Sequence, residues 1–336
     1  MMSPARTLAE GEMLGGYEVV APLRLGGMAS LYRARRVGAR GFTQDVAIKT
    51  VHPELAHDGT YTQMLVDEAL MASRIRHPNV VRVEELADDG PICFLVMEYV
   101  DGWSLGQLMD ALVASPGRLP VAVAAHIAIE LAAGLHAAHE ATREDGTPLE
   151  LVHRDVSPPN VLLSCDGHVK LIDFGVAKAR GRTVRTTAGT LKGKFRYMAP
   201  EQARGGSVDR RTDVYAAGIL LWEMLTMRPL FGESDELELL MQVRDPTIVR
   251  PGSIASDIPP ELDAVVLAAL ALEPDDRPAT AQELRRRLLR SAQEAALVDS
   301  TDVRDLLREV MGPSNGGGPM GRGQSTVRAS LAARER

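Results

Sequence analysis

The sequence predicts an α+β protein in which strands come first and helices follow, and three observations carry that reading. Apolar, β-branched runs bounded by turn residues crowd the first hundred positions, at 17–25, 46–49, 80–85 and 93–99. From Trp103 onward the pattern turns helical, and 121–139 is apolar nearly all round, as a central buried helix would be. Segregated runs of strands and helices define the α+β class. The third observation is a late tight hairpin, Asp166-Gly167 set between the apolar runs 161–163 and 169–172. A hairpin brings its ends together, so Asn160 before it and Asp173 after it should meet at one edge. An amide oxygen and a carboxylate there suit Mg²⁺, with water and phosphate oxygens completing its shell. Asp155, shortly before Asn160, could then take a proton from a bound hydroxyl or hold it in line.

Composition bounds the rest. A chain of 336 residues can hold one large or two fused domains, and at 45% hydrophobic residues it can bury a sizeable core. The formal net charge of −7 argues against a nucleic-acid partner, which needs a basic surface. Cys93 and Cys165 have no metal-like spacing and read as reduced core residues of a cytoplasmic protein. Residues 1–16 carry charges and glycines without an apolar core, so they read as a mobile leader and not as a signal peptide. The apolar stretches 121–139 and 214–226 are interrupted by His126, Glu130 and Glu223, and are expected as buried helices, with no membrane span.

In chain order, strand 17–25 runs into Gly26, Gly27, Met28, Ala29, Ser30 and Leu31 and then a second strand. Strand, glycine turn, strand lets backbone N–H groups lie over phosphates. Along Val46-Ala47-Ile48-Lys49, Val46 and Ile48 face one way while Ala47 and Lys49 face the other, leaving room for a flat base and aiming one positive charge. Helix 62–76 places Met64, Glu68, Met71 and Ile75 on one face. A carboxylate within an apolar stripe needs a partner, and Lys49 is the natural one. His77-Pro78-Asn79 ends that helix. His126, His136 and His139 read as satisfied or surface residues, not metal ligands. The insertion 142–150, with Asp145-Gly146 and Pro148, reads as a short exposed hairpin. Residues 259–290 supply further helices, 291–311 an additional helical segment, and the glycine-rich 312–336 a disordered tail.

HRD–x4–N at 153–160 followed by DFG at 173–175 resembles the catalytic and metal-binding loops of the protein kinases. With LGGMASLY, MEYVDG and YMAPEQ, the chain is most similar to the bacterial, Hanks-type serine/threonine kinases, over roughly 17–290. The resemblance implies a bilobal fold: a small antiparallel lobe with one helix at 17–98, a larger, mainly helical lobe at 101–290, and ATP with Mg²⁺ in the cleft. It implies that Lys49, held by Glu68, orients the α- and β-phosphates, that Asn160 and Asp173 hold the metal, and that Asp155 orients and deprotonates the acceptor hydroxyl. Leu25, Gly26, Gly27, Leu31 and Ala47 would then contact nucleotide. Met97 would be the gatekeeper, Glu98 and Val100 would offer backbone contacts to the base, and Ser104 would stand near the ribose. The stretch 173–201 becomes the activation segment, with Thr186 and Thr187 the first candidates for phosphorylation, Thr190 the next, and Arg154 the receiver of the phosphate. Asp213 would hold the catalytic-loop backbone, and Glu201 would pair with Arg277. The partners implied are protein substrates and, for autophosphorylation, a second copy of the chain.

Two departures matter. In the glycine-rich loop only Gly26 matches the family pattern, with Arg24 and Ala29 where the first and third glycines would stand. Ser157 occupies the position of the lysine that touches the transferred phosphate, and Lys194 is a candidate replacement from across the loop. A unit charge about 4 Å from a phosphate oxygen is worth roughly 4 kcal/mol at an effective dielectric near 20, enough to matter for rate. The alternatives are a pseudokinase scaffold, which the eroded glycine loop and Ser157 favour, and a small-molecule phosphotransferase. Intact Lys49, Glu68, Asp155, Asn160 and Asp173 oppose the first, and a full activation segment opposes the second.

Overall fold

The computed structural model describes residues 8–26, 28–52, 55, 59–115, 117–174, 195–232, 234–292 and 298–312. They form two compact units, 8–74 with 81–103, and 75–80 with 104–312.

The first unit is an antiparallel sheet of strands β1 (Met13–Leu14), β2 (Tyr17–Leu25), β3 (Ala29–Val37), β4 (Thr43–Val51), β5 (Val83–Asp89) and β6 (Ile92–Glu98). Their order is β1-β2-β3-β4-β6-β5. Tyr32 pairs with Ile48 and Ile48 with Val96, so this row points to one face. There it joins Leu14, Tyr17, Val19, Ala34, Val46 and Phe94 in an apolar cluster. Leu31–Lys49–Leu95 and Ala47–Met97 are the intervening rows and point the other way. The alternation expected for Val46-Ala47-Ile48-Lys49 therefore holds.

The mobile leader needs correction in its second half. Leu8 and Leu14 are buried in the cluster, β1 pairs with β2, and the Leu8 N–H donates to the Tyr32 hydroxyl at 3.3 Å. Burying two leucines contributes roughly 3–6 kcal/mol, enough to hold a short segment on the sheet. Helix α1 (Gly59–Ala72) is also shorter and differently turned than expected. Its buried stripe is Leu65, Ala69 and Ala72, while Met64 and Met71 are only half-buried and Ile75 lies beyond its end. The strand expected at 80–85 begins at Val83, because Val80 bridges to Leu171 in the other unit's hairpin, to which its own segment belongs.

Strand β7 (Gly102–Ser104) carries the chain into the second unit. That unit is built on α2 (Leu105–Ala114), α3 (Val121–His139), strands β8 (Val161–Ser164) and β9 (Val169–Leu171), α4 (Pro200–Arg204), α5 (Arg210–Thr226), α6 (Glu236–Arg244), α7 (Pro251–Ile254), α8 (Pro260–Ala269), α9 (Ala281–Ser291) and α10 (Ser300–Met311). Helix α3 packs against α5, α9 and β9. Its length and mean hydropathy of 1.6 would let it cross a membrane, so His126 and Glu130 do not bar that as expected; 61% of its most apolar stretch is buried within the unit. The insertion forms the expected small hairpin, closed by a Thr142–Pro148 bridge and by the Arg143 N–H donating to Thr147 O at 2.8 Å. The tail beyond Gly312 lies outside the described residues.

Candidate active site

In the first unit, Lys49 on β4 meets Glu68 on α1, with Nζ 2.7 Å from Oε1. Glu68 stands beside the Leu65–Ala69–Ala72 stripe, and its carboxylate reaches Lys49 on the sheet. Leu31 and Lys49 are cross-strand partners, as are Ala47 and Met97, so β3, β4 and β6 present one surface. Gly26 is required by a close approach: a Cβ there would lie 2.9 Å from the Ala29 carbonyl oxygen. Leu25 is 57% exposed at the rim, and Gly27 lies outside the described residues. Arg24 is exposed and sits across from Leu31. Glu98 donates its N–H to Arg82 O at 2.9 Å, and Val100 is buried just past the end of β6.

In the second unit, the hairpin does what the spacing implied. Val161 pairs with Leu171, and the Ile172 N–H donates to Asn160 O at 3.0 Å, bringing residue 160 beside residue 172. Asn160 is buried, and its side-chain Nδ2 donates to the Asp155 carbonyl oxygen at 2.8 Å. That bond turns the amide so that Oδ1 is the atom left for a cation. Asp173 takes the left-handed backbone conformation, φ +58°, as does Arg154, φ +62°. Non-glycine residues held there cost about 1–3 kcal/mol each and cluster at functional sites.

Asp213 on α5 holds the second of these. Its carboxylate accepts the backbone N–H of His153 at 2.7 Å and of Arg154 at 2.8 Å, and meets His139 Nε2 at 2.8 Å. Burial alone would raise this carboxyl; the hydrogen bonds it accepts, from the His139 ring first and then from the His153 N–H, hold it below its ordinary value. Burial likewise lowers the His153 imidazole, which is therefore neutral at physiological pH. The Asp155 N–H points at His153 Nδ1 (3.3 Å), so Nε2 carries the proton and donates to Ile172 O at 3.0 Å. The His153 ring lies 4.7 Å from that of Phe174. One imidazole thus ties the Asp155 loop to the residue before Asp173.

Glu201 and Arg277 form the pair that the resemblance implied, with two N–O distances of 2.8 Å, and Thr212 Oγ1 donates to Glu201 at 2.8 Å. Ser104, which the resemblance placed near the ribose, stands at the start of α2. Its hydroxyl caps α2, accepting the Gln107 N–H at 3.2 Å, while Gln107 Oε1 accepts the Ser104 N–H. Ser157 Oγ donates to Asp155 O at 3.3 Å. Thr186, Thr187, Thr190 and Lys194 lie outside the described residues.

Three supporting residues went unread in the sequence. His139 is the last residue of an apolar helix, where a histidine ordinarily faces solvent. His153 was seen only as the first letter of a motif. Asn79 was read as a helix stop, yet its side chain donates to Glu130 Oε2 and Val169 O, both at 2.9 Å, and its carbonyl accepts the Leu171 N–H. The signal for Asn79 was its place directly after a proline, with polar groups that need partners.

Residues 17–289 match the family described as protein kinase domain. The tyrosine-protein kinase MasK of Myxococcus xanthus is 41% identical over 268 residues, covering 80% of this chain and 42% of its own length. The serine/threonine-protein kinase PknB of Mycolicibacterium smegmatis is 38% identical over 284 residues, covering 82% of this chain and 42% of its own. The crystal structure of the Mycobacterium tuberculosis PknI kinase domain matches with a TM-score of 0.62 at 28% identity, covering 85% of this chain and all of that domain. The chain belongs to the protein kinase family. It spans about two fifths of the length of the curated relatives it matches.

Proposed function

We propose that this chain transfers the γ-phosphoryl group of ATP to serine and threonine hydroxyls of proteins, its own activation segment included. The observation that carries the reading is the Lys49–Glu68 ion pair at 2.7 Å together with an Asp155–Asn160–Asp173 set locked by Asp213 and His153. Catalysis of this kind is mostly positioning and charge stabilisation. Lys49, kept in place by Glu68, orients the α- and β-phosphates. Asp155 holds the acceptor hydroxyl in line and takes its proton as the bond from the γ-phosphorus to the leaving oxygen breaks.

Asn160 Oδ1 and the Asp173 carboxylate fit Mg²⁺, a hard cation that takes few protein oxygens and fills its shell with phosphate and water. Among the described residues no group of three or more His, Cys, Asp or Glu could hold a metal ion alone, in keeping with a cation carried in on the nucleotide. Mg²⁺ bound there supplies charge neutralisation on the phosphates.

A second acceptor is favoured by two observations: Ser157 in place of the usual lysine, and a relative named a tyrosine-protein kinase. Incubation with Mg²⁺ and γ-labelled ATP, then phosphoamino-acid analysis and mapping, tests the assignment. Label on serine or threonine, with Thr186, Thr187 or Thr190 among the sites, is expected. Label confined to tyrosine would overturn it.

A further inference from the structure

We propose that α10, a helix beyond the matched kinase domain, is a clamp that positions the hairpin carrying Asn160 and Asp173, and that Gly167 is the residue it grips. The inference rests on the kinase reading for its catalytic consequence, though not for its geometry.

The hairpin is short, with strands of four and three residues. Such a hairpin has little stability of its own. Its turn runs through Cys165 and Asp166 to Gly167, whose N–H donates to Ser164 O at 2.7 Å and which takes φ +84°. The first turn of α10 lies directly against it. A Cβ at Gly167 would stand 1.7 Å from the Ser300 carbonyl oxygen and 2.8 Å from the Arg304 N–H nitrogen. Only glycine satisfies both the backbone conformation and that approach. Charge agrees with packing: the Arg304 guanidinium is held above its ordinary value, first by its hydrogen bond to Asp305 and also by Asp166 on the turn.

Helix α10 is built to dock. Asp299 caps it, accepting the Thr301 N–H at 2.7 Å, and Asp302 closes back onto the Asp299 N–H at 2.9 Å. Val303 and Leu307, one turn apart, are fully buried, while Asp302, Asp305, Arg308 and Glu309 are exposed. The helix packs on α2. Helix α2 in turn meets the loop before Asn160, where a Cβ at Gly106 would lie 3.5 Å from Pro158 Cβ. Asn160 is thus braced from two directions, through the turn and through α2. The matched family domain ends at residue 289, so this brace is an addition to it.

The test uses the full chain with Val303→Asp and Leu307→Asp together, which charge the buried face of α10 and leave the hairpin's own sequence intact. Leu239→Ala, in the buried face of α6, is the control for lost packing elsewhere. Hydrogen exchange of the 161–171 amides is measured with and without Mg²⁺–ATP. In the undocked chain these amides should exchange about tenfold faster, the change that 1.4 kcal/mol of local stability gives. The Mg²⁺ concentration for half-maximal phosphoryl transfer should rise several-fold, while KM for the protein acceptor stays put. Leu239→Ala should change neither reading. If the α10 amides exchange freely and the hairpin keeps its protection, the clamp is wrong. No transfer by the wild-type chain, beside an undocked chain whose hairpin still loosens, would sink the kinase reading and leave the clamp standing.

Discussion

Asp213 gathers three donors in a site closed to water, and its protonation decides whether they stay. An unfolded aspartate titrates near 3.9, and this one titrates lower in the fold. Below about pH 4 the unfolded chain therefore binds the proton more readily than the folded one. The stability Asp213 contributes is present above that pH and is lost as pH falls through the folded value. Asp213→Asn should flatten the fall of urea midpoint between about pH 4 and pH 3, and should lower the phosphoryl-transfer rate at pH 7 as Arg154 slips from its left-handed conformation. An unchanged acid limb would show that another carboxylate sets it. At this scale the motif residues were legible, because Lys49, Glu68, Asp155, Asn160 and Asp173 each carry chemistry that a strand, helix or turn must serve. Their supports were not. His139 and His153 are ordinary by type and become important only through a shared partner, Asp213, dozens of positions away.

Elements that announce themselves by apolar period were read to the residue, as with Val121–His139 and the 17–25 strand. Helix α1 was misread because Met64 and Met71 have the right spacing for a core face, whereas the smaller Ala69 and Ala72 let the helix lie closer to the sheet. Spacing alone does not say which of two apolar stripes packs. The capping task of Ser104 was likewise unread, although a serine three residues before a glutamine is a capping-box pattern. The Glu201–Arg277 pair joins α4 to the turn before α9, and Arg277 is fully buried with its remaining N–H groups on Ala271 O, Leu272 O and Arg211 O. Burial would raise Glu201, but Arg277 and Thr212 hold it below its ordinary value. Arg277→Met leaves that carboxylate buried without its charge partner, which costs about 3–5 kcal/mol. Equilibrium urea unfolding should show that loss, with α5 losing protection together with α4. A loss under about 1 kcal/mol would mean the pair is as weak as an exposed one.

Across the whole molecule, the order of motifs carried further than any single motif, and it placed an antiparallel sheet unit ahead of a helical one. Two features escaped it. Residues 1–16 read as a mobile leader without an apolar core, yet Leu8 and Leu14 hold 8–16 to the sheet. Helix α10 lay where the resemblance had ended, and nothing in its period said that it would meet the hairpin turn. The central claim is that the assembled residues turn over and do not merely bind. Single-turnover transfer from γ-labelled ATP to a protein acceptor, run on wild type and Asp155→Asn with nucleotide affinity measured in parallel, tests it most directly. The account predicts unchanged affinity for Mg²⁺–ATP and a transfer rate lower by about 10²- to 10⁴-fold in the variant. A wild-type chain that binds nucleotide without transferring it, or an Asp155→Asn chain that transfers at the wild-type rate, would contradict it.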